Sequence, residues 1–206
     1  MVDLFENIRN AYEDKPSIFD NISSDDLIMA FFPCVRFENQ IMLWFRGQSS
    51  SQKSWSLVEK MEHDMKLNDE LNTMYQLVNK LFILCQKRNL KLIMENPYSE
   101  EHYLRRYWCL PAAIIDKDRR EKGDYFKKPT QYWFLNCTPK NNIIFEISND
   151  NAIKHKSTDS VRWISSGVMK RETGIECSQK VARSMIHPQY ANRFIREFIL
   201  EPGEME

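Results

Sequence analysis

Two residues in this chain have the types and settings to do chemistry together. Cys34 closes the stretch DDLIMAFFPC (25–34), where an apolar run stops at Pro33 and a thiol follows. Glu95 lies in LKLIMENP (90–97), where a second apolar run stops at Glu95-Asn96-Pro97. A thiolate attacks electrophilic carbon, and a carboxyl placed across from it supplies or accepts a proton. Each residue alone has a plainer reading. A buried cysteine is ordinarily a small hydrophobe, and a strand-end carboxylate ordinarily caps the turn that follows. The chemistry depends on whether the fold brings the two stretches together.

The elements between them predict that it does. Residues 26–32 are a continuous apolar run bounded by acids and Pro33, the pattern of a strand covered on both faces. Residues 56–88 carry Leu57, Met61, Met65, Leu71, Met74, Tyr75, Val78, Leu81, Phe82 and Cys85 at helical spacing, with the methionines read as core filler. Lys87-Arg88-Asn89 suits the end of that helix, and 90–94 is a second strand. Strand, crossover helix and strand form a βαβ unit, so the strands run parallel and their C-terminal ends open on one sheet edge. In open α/β sheets that edge is where ligands bind. The predicted fold class is therefore α/β with a mostly parallel sheet.

The rest of the chain is read more briefly. A short amphipathic helix is predicted over 3–13, an irregular segment over 35–54 and a short helix over 102–108. Strands are predicted over 112–115, 131–136 and 142–147, with a charged loop at 116–130. A final helix within 181–200 places Tyr190, Phe194, Ile195 and Phe198 on one face. Trp44, Trp108 and Trp133 are expected in the core or on a cleft wall. The 206 residues suit one α/β domain, 1–206, with an irregular or mobile excursion at about 148–180.

Composition bounds the function classes. Lys+Arg and Asp+Glu both total 29, so long-range attraction to a polyanion is not built into the chain as a whole. Arg105-Arg106, Arg119-Arg120 and Lys127-Lys128 have the chemistry to grip phosphates, but interleaved acids favour a solvated surface. The 5 cysteines are widely spaced and never form C-x-x-C, which argues against a zinc ribbon and a secreted disulfide framework. His102 and His187 lack partners at metal spacing, and no metal is assigned. No signal peptide or membrane-length apolar run is present, so the expected setting is the reducing cytoplasm, with no membrane partner.

Phe32-Pro33-Cys34, followed one βαβ unit later by Glu95-Asn96, resembles the catalytic pair of the DNA (cytosine-5) methyltransferases. KKPTQYWFLN (127–136) resembles the Lys-Pro-Thr stretch of phage-type and bacterial members, and SMIHPQYANRFIREFI (184–199) resembles the family's final Pro-containing helix. The resemblance spans residues 20–199 in the family's order. It implies a Rossmann-like domain, S-adenosylmethionine as cofactor and DNA as partner. Cys34 would be the nucleophile that adds to carbon 6 of cytosine, and Glu95 the acid at ring nitrogen 3, with the base flipped out of the duplex. Pro33, Asn96, Pro97, Arg46, Lys128, Thr130 and Gln131 fall where the substrate is bound, and Ser184 where the cofactor is approached. A mobile DNA-clasping loop would fall at 35–54.

The chain also departs from the family. Val35 follows Pro-Cys where the family has Gln, and Pro97 follows Glu-Asn where it has Val. No G-x-G occurs, so the chain resembles the part after the cofactor-binding glycine loop. The first strands of the family's sheet are then missing and 26–32 becomes an apolar edge. That edge is expected to be covered by the N-terminal helix, by a second copy in a homodimer, or by a partner chain carrying the cofactor-binding half. Two other function classes stay open: a non-catalytic methyltransferase-derived module that binds nucleic acid or protein, and an unrelated thiol enzyme using Cys34.

Overall fold

Asp3 starts the first helix by accepting the amide hydrogens of Phe5 and Glu6 at 2.9 and 3.2 Å. This helix, α1 (Leu4–Tyr12), buries Ile8 and Ala11. In the computed structural model, which describes residues 3–38, 41–144 and 165–201, the chain divides into two compact units. The first is Met1–Ala113 with Tyr132–Cys137; the second is Ile114–Gln131 with Thr138–Glu206.

In the first unit, α1 leads through a buried Phe19 to strand β1 (Leu27–Phe31). A short helix α2 (Ile41–Phe45) precedes the long α3 (Leu57–Lys87). A reciprocal box opens α3: the Glu59 amide donates to the Ser56 hydroxyl, and the Ser56 amide donates to the Glu59 carboxylate. Asn89, with φ of 54°, turns the chain out of α3 into β2 (Lys91–Pro97). Helix α4 (Tyr103–Tyr107) follows. The core joins Phe19, Phe32, Phe37, Leu81, Leu92 and Trp133, with α1 and α3 packed together.

Two more strands complete the sheet, β3 (Ile114–Asp116) and β4 (Thr130–Leu135), in the order β1-β2-β4-β3. The fold is α/β with an open mixed sheet. β1 and β2 are parallel, as the βαβ reading requires, but the other pairs are antiparallel, so the sheet is not mostly parallel. No long crossover helix separates β3 from β4, and antiparallel neighbours need only a short connection.

The second unit holds α5 (Ser166–Thr173), α6 (Gln179–Ser184) and α7 (Pro188–Phe198). Phe126, Val168, Met169 and Ala182 form its core. Of the predicted excursion at 148–180, residues 148–164 lie outside the described residues. The remainder is ordered into α5 and the start of α6, because Ser165 caps α5 and Gly174, with φ of 74°, ends it. Residues 142–144 are not a strand; the Asn142 side chain instead donates to the carbonyls of Arg196 and Leu200 at the end of α7. The predicted 145–147 lie outside the described residues.

Several predicted faces are corrected. β1 is an edge strand, and only Ile28 and Ala30 pack on the core; Met29 and Phe31 are 37% and 59% exposed. The apolar run therefore serves one face. Met61 and Met65 are exposed rather than core filler, because α3 meets its core through Leu77, Val78, Leu81 and Phe82 near the far end. Trp44 is exposed, whereas Trp108 and Trp133 are buried. Ile195 points outward from α7 while Tyr190, Phe194 and Phe198 are buried. The 35–54 segment contains α2, and the 116–130 loop contains a 3-10 turn at Arg119–Lys122.

Candidate functional site

The parallel register places Phe31 beside Glu95. Pro33-Cys34 and Glu95-Asn96 thus leave the sheet at the same edge, both within the first unit. Pro33 and Val35 are exposed and Cys34 is half-buried, so the turn carrying the thiol faces outward. Glu95 is buried and Pro97 closes β2.

Asn96, fully buried, joins the two strand ends. Its Nδ2 donates to the carbonyl of Phe32 at 2.8 Å and to that of Glu95 at 2.9 Å. Both amide hydrogens are then engaged, which leaves Oδ1 as the acceptor. His102 Nε2 lies 3.1 Å from that oxygen, so Nε2 carries the proton and donates it. Nδ1 of the same ring is bare and buried with no hydrogen-bond partner. Burial pushes the His102 pKa down to about 4, keeping the imidazole neutral. Phe37 and Trp133 lie beside the ring, at centroid distances of 6.0 and 6.5 Å.

The turn after Cys34 is also fixed. The Cys34 carbonyl accepts the amide of Phe37 at 2.8 Å, and the Phe37 carbonyl accepts that of Tyr103 at 2.8 Å. Beyond the turn, Arg36 pairs with Glu70 of α3. Arg46, predicted to touch substrate, is exposed just after α2 in the same unit.

The other predicted site residues belong wholly to the second unit. Lys128 has a positive φ of 23°, and the Thr130 hydroxyl donates to its carbonyl at 2.8 Å, the geometry of a turn feeding a strand. Thr130 and Gln131 are buried. Ser184 is exposed at the end of α6, and its hydroxyl donates back to the carbonyls of Lys180 and Val181. Among the described residues, no glycine occurs in the segments that directly follow β1 and β2, where a donor-binding glycine turn would follow a strand. These strand ends therefore do not have the turn that would fit S-adenosylmethionine.

The second unit also buries a charged cluster. Arg119 pairs with Asp124, and its guanidinium lies 4.4 Å over the ring of Tyr190. Asp124 Oδ1 accepts the amides of Tyr125 and His187 at 2.7 and 2.9 Å. Tyr190 donates to Asp116 at 3.1 Å, whose carboxyl burial pushes up while Lys122 pulls it back. This cluster ties α7 to the 116–127 segment, a structural use of charge that the sequence displayed only as an interleaved surface pattern.

His102 is the site residue that sequence reasoning missed. Its hydrogen bond is made by the turn at 98–101, which brings residue 102 back onto Asn96, and no spacing rule signals that return. Among the described residues no three His, Cys, Asp or Glu side chains converge to hold a metal, and no helix is long and apolar enough to cross a membrane. No protein-family model matches the chain, and neither does any curated protein or any solved structure.

Proposed function

We propose that this chain is a DNA (cytosine-5) methyltransferase-like protein that carries the Cys34/Glu95 pair on a Rossmann-like remnant, with a partner chain supplying the half that holds S-adenosylmethionine. The parallel register of β1 and β2 is the observation that supports this reading, because it delivers Pro33-Cys34 and Glu95-Asn96 to one sheet edge. DNA is the partner and cytosine the base.

The residues of this chain activate the ring. The Cys34 thiolate forms a bond to carbon 6, and the carbon 5–carbon 6 π electrons move through carbon 4 to nitrogen 3. Glu95 donates its proton to nitrogen 3, leaving carbon 5 as an enamine carbon. In the absence of any methyl donor, carbon 5 takes a proton from water. Loss of its original hydrogen and departure of the thiolate then restore cytosine, and nitrogen 3 returns its proton to Glu95.

That cycle is testable without the cofactor. Incubation with a single-stranded cytosine oligonucleotide in D2O should place deuterium at carbon 5, read by loss of the carbon 5 proton resonance. Single-stranded substrate removes the need for base flipping. Cys34→Ala should abolish exchange and Glu95→Gln should slow it about 100-fold. Folded wild-type protein that exchanges nothing would overturn the reading. Alkylation of Cys34 faster than the exposed Cys109 would then favour the unrelated thiol enzyme, and slower alkylation the non-catalytic module.

A further inference from the structure

We infer that His102 is a positioning residue for Cys34 and Glu95, acting through Asn96 to hold the Pro-Cys turn at a set distance from the end of β2. The inference rests on the reading proposed above for what the positioned groups do, but its geometry is independent of that reading.

The turn bearing Cys34 is held at both of its ends by two consecutive residues at the start of α4. On the upstream side, the His102 Nε2–H donates to Asn96 Oδ1, and Asn96 Nδ2 donates to the Phe32 carbonyl. On the downstream side, the Tyr103 amide donates to the Phe37 carbonyl. The same Asn96 nitrogen also grips the carbonyl of Glu95. One amide thus grips the backbone of Glu95 and that of Phe32, two residues before Cys34, and the imidazole donates to the oxygen of that amide. Without the Nε2–H, Asn96 Oδ1 loses its buried donor and only the two Nδ2 bonds hold the amide, so a rotation of the side chain away from its present place would release both carbonyls together.

The bare Nδ1 bears on the same point. A ring placed only to fill space would be replaceable by an apolar side chain, and a ring placed for two hydrogen bonds would have two partners. His102 is 0% exposed with one bond made and one nitrogen unused. Beside its packing against Phe37 and Trp133, the ring makes one hydrogen bond, a donor aimed at Asn96.

The test compares His102→Gln, whose side-chain amide reaches far enough to donate, with His102→Leu, which cannot donate. In the deuterium exchange assay, His102→Leu should lower kcat about 100-fold, the loss expected of a displacement of about 1 Å at the reacting groups. KM for the oligonucleotide should stay within about twofold of wild type, since no ligand contact is removed. His102→Gln should recover most of kcat. Equal kcat in wild type and a folded His102→Leu would overturn the inference while leaving the methyltransferase reading standing. If wild-type protein exchanges nothing, that reading falls, and the rate of Cys34 alkylation by iodoacetamide becomes the readout. A rate changed by His102→Leu and restored by His102→Gln supports positioning; a rate unmoved by His102→Leu sinks it. Should His102→Leu fail to fold, the nitrogen-15 shifts of the wild-type ring decide. A ring protonated at Nε2 and bare at Nδ1 supports the inference, and one protonated at Nδ1 overturns it.

Discussion

The Asn96 side chain donates to the carbonyl of Phe32 at 2.8 Å, a buried bond between residues 64 apart in the chain. It fastens the end of β2 to the end of β1 beyond the last paired residues, Phe31 and Glu95. The ladder alone would leave the two strand ends free to splay at the point where the thiol and the carboxyl emerge.

Removing that side chain should therefore be costly. Asn96→Ala strands the Phe32 and Glu95 carbonyls and the His102 Nε2–H in a buried setting, a loss of about 2–4 kcal/mol. Asn96→Asp should cost at least as much, because a carboxylate offers lone pairs to two carbonyl oxygens. Urea unfolding at neutral pH, with the slope unchanged, measures both.

Stability should fall with pH in the window where His102 titrates. The folded ring has a pKa of about 4 and the unfolded one about 6.5, so between those values only the unfolded chain takes the proton. This contribution is whole above pH 6.5, declines as pH falls through the folded pKa, and amounts to about 3 kcal/mol at most. The difference between the wild-type and His102→Gln stability curves isolates it. A difference that does not vary between pH 7 and about 4 would contradict the buried neutral imidazole.

The Arg119–Asp124 pair predicts strong coupling in the second unit. Both side chains are buried, so Arg119→Met leaves an uncompensated carboxylate and should cost about 3–5 kcal/mol. Asp124→Asn should be similarly damaging, and the double variant should cost clearly less than the sum of the two. Thermal melts of the four proteins complete the cycle.

The two halves of α3 should respond differently to substitution. Leu81 is 2% exposed and Leu81→Ala should cost about 2–5 kcal/mol. Met65 is 68% exposed and Met65→Lys should stay within about 0.5 kcal/mol of wild type. Denaturant midpoints check both, and a large loss at Met65 would mean that something covers this face in solution.

Thiol reactivity should rank the cysteines by setting. Burial pushes the Cys85 thiol up to about 12, and the residue is sealed in the first core. Mass-spectrometric mapping of native alkylation should find Cys85 modified last and Cys109, which is exposed, modified early.

Much of the frame was legible because it rests on local rules. The apolar spacing along 56–88 and the Lys87-Arg88-Asn89 ending each leave a mark within a few residues. Together they predict the helix and the parallel pairing of its flanking strands. The faces were less legible. Met61 and Met65 continue the three-or-four spacing of the apolar residues along 57–85, yet they lie well round the helix from Leu77 and Leu81, because small steps of phase add up over a long helix; local spacing does not say where along it the neighbours end. For β1, a continuous apolar run reads alike whether one face or both is covered.

What the sequence by itself determined is the pair of strand ends, each an apolar run stopping at a polar residue beside proline, and the helix that makes them neighbours. Strand direction follows from connection length, and connection length is written in the chain. Only the tertiary structure decided that Asn96 spans the gap to Phe32, that His102 donates to the oxygen of that amide, and that Arg119 lies buried against Asp124. Those bonds join residues across turns and between elements, where a difference of one rotamer or one residue of loop breaks a contact without altering the local pattern. Hydrogen bonds are short-ranged and directional. They are settled last, once packing has brought the chain's distant parts within 3 Å of one another.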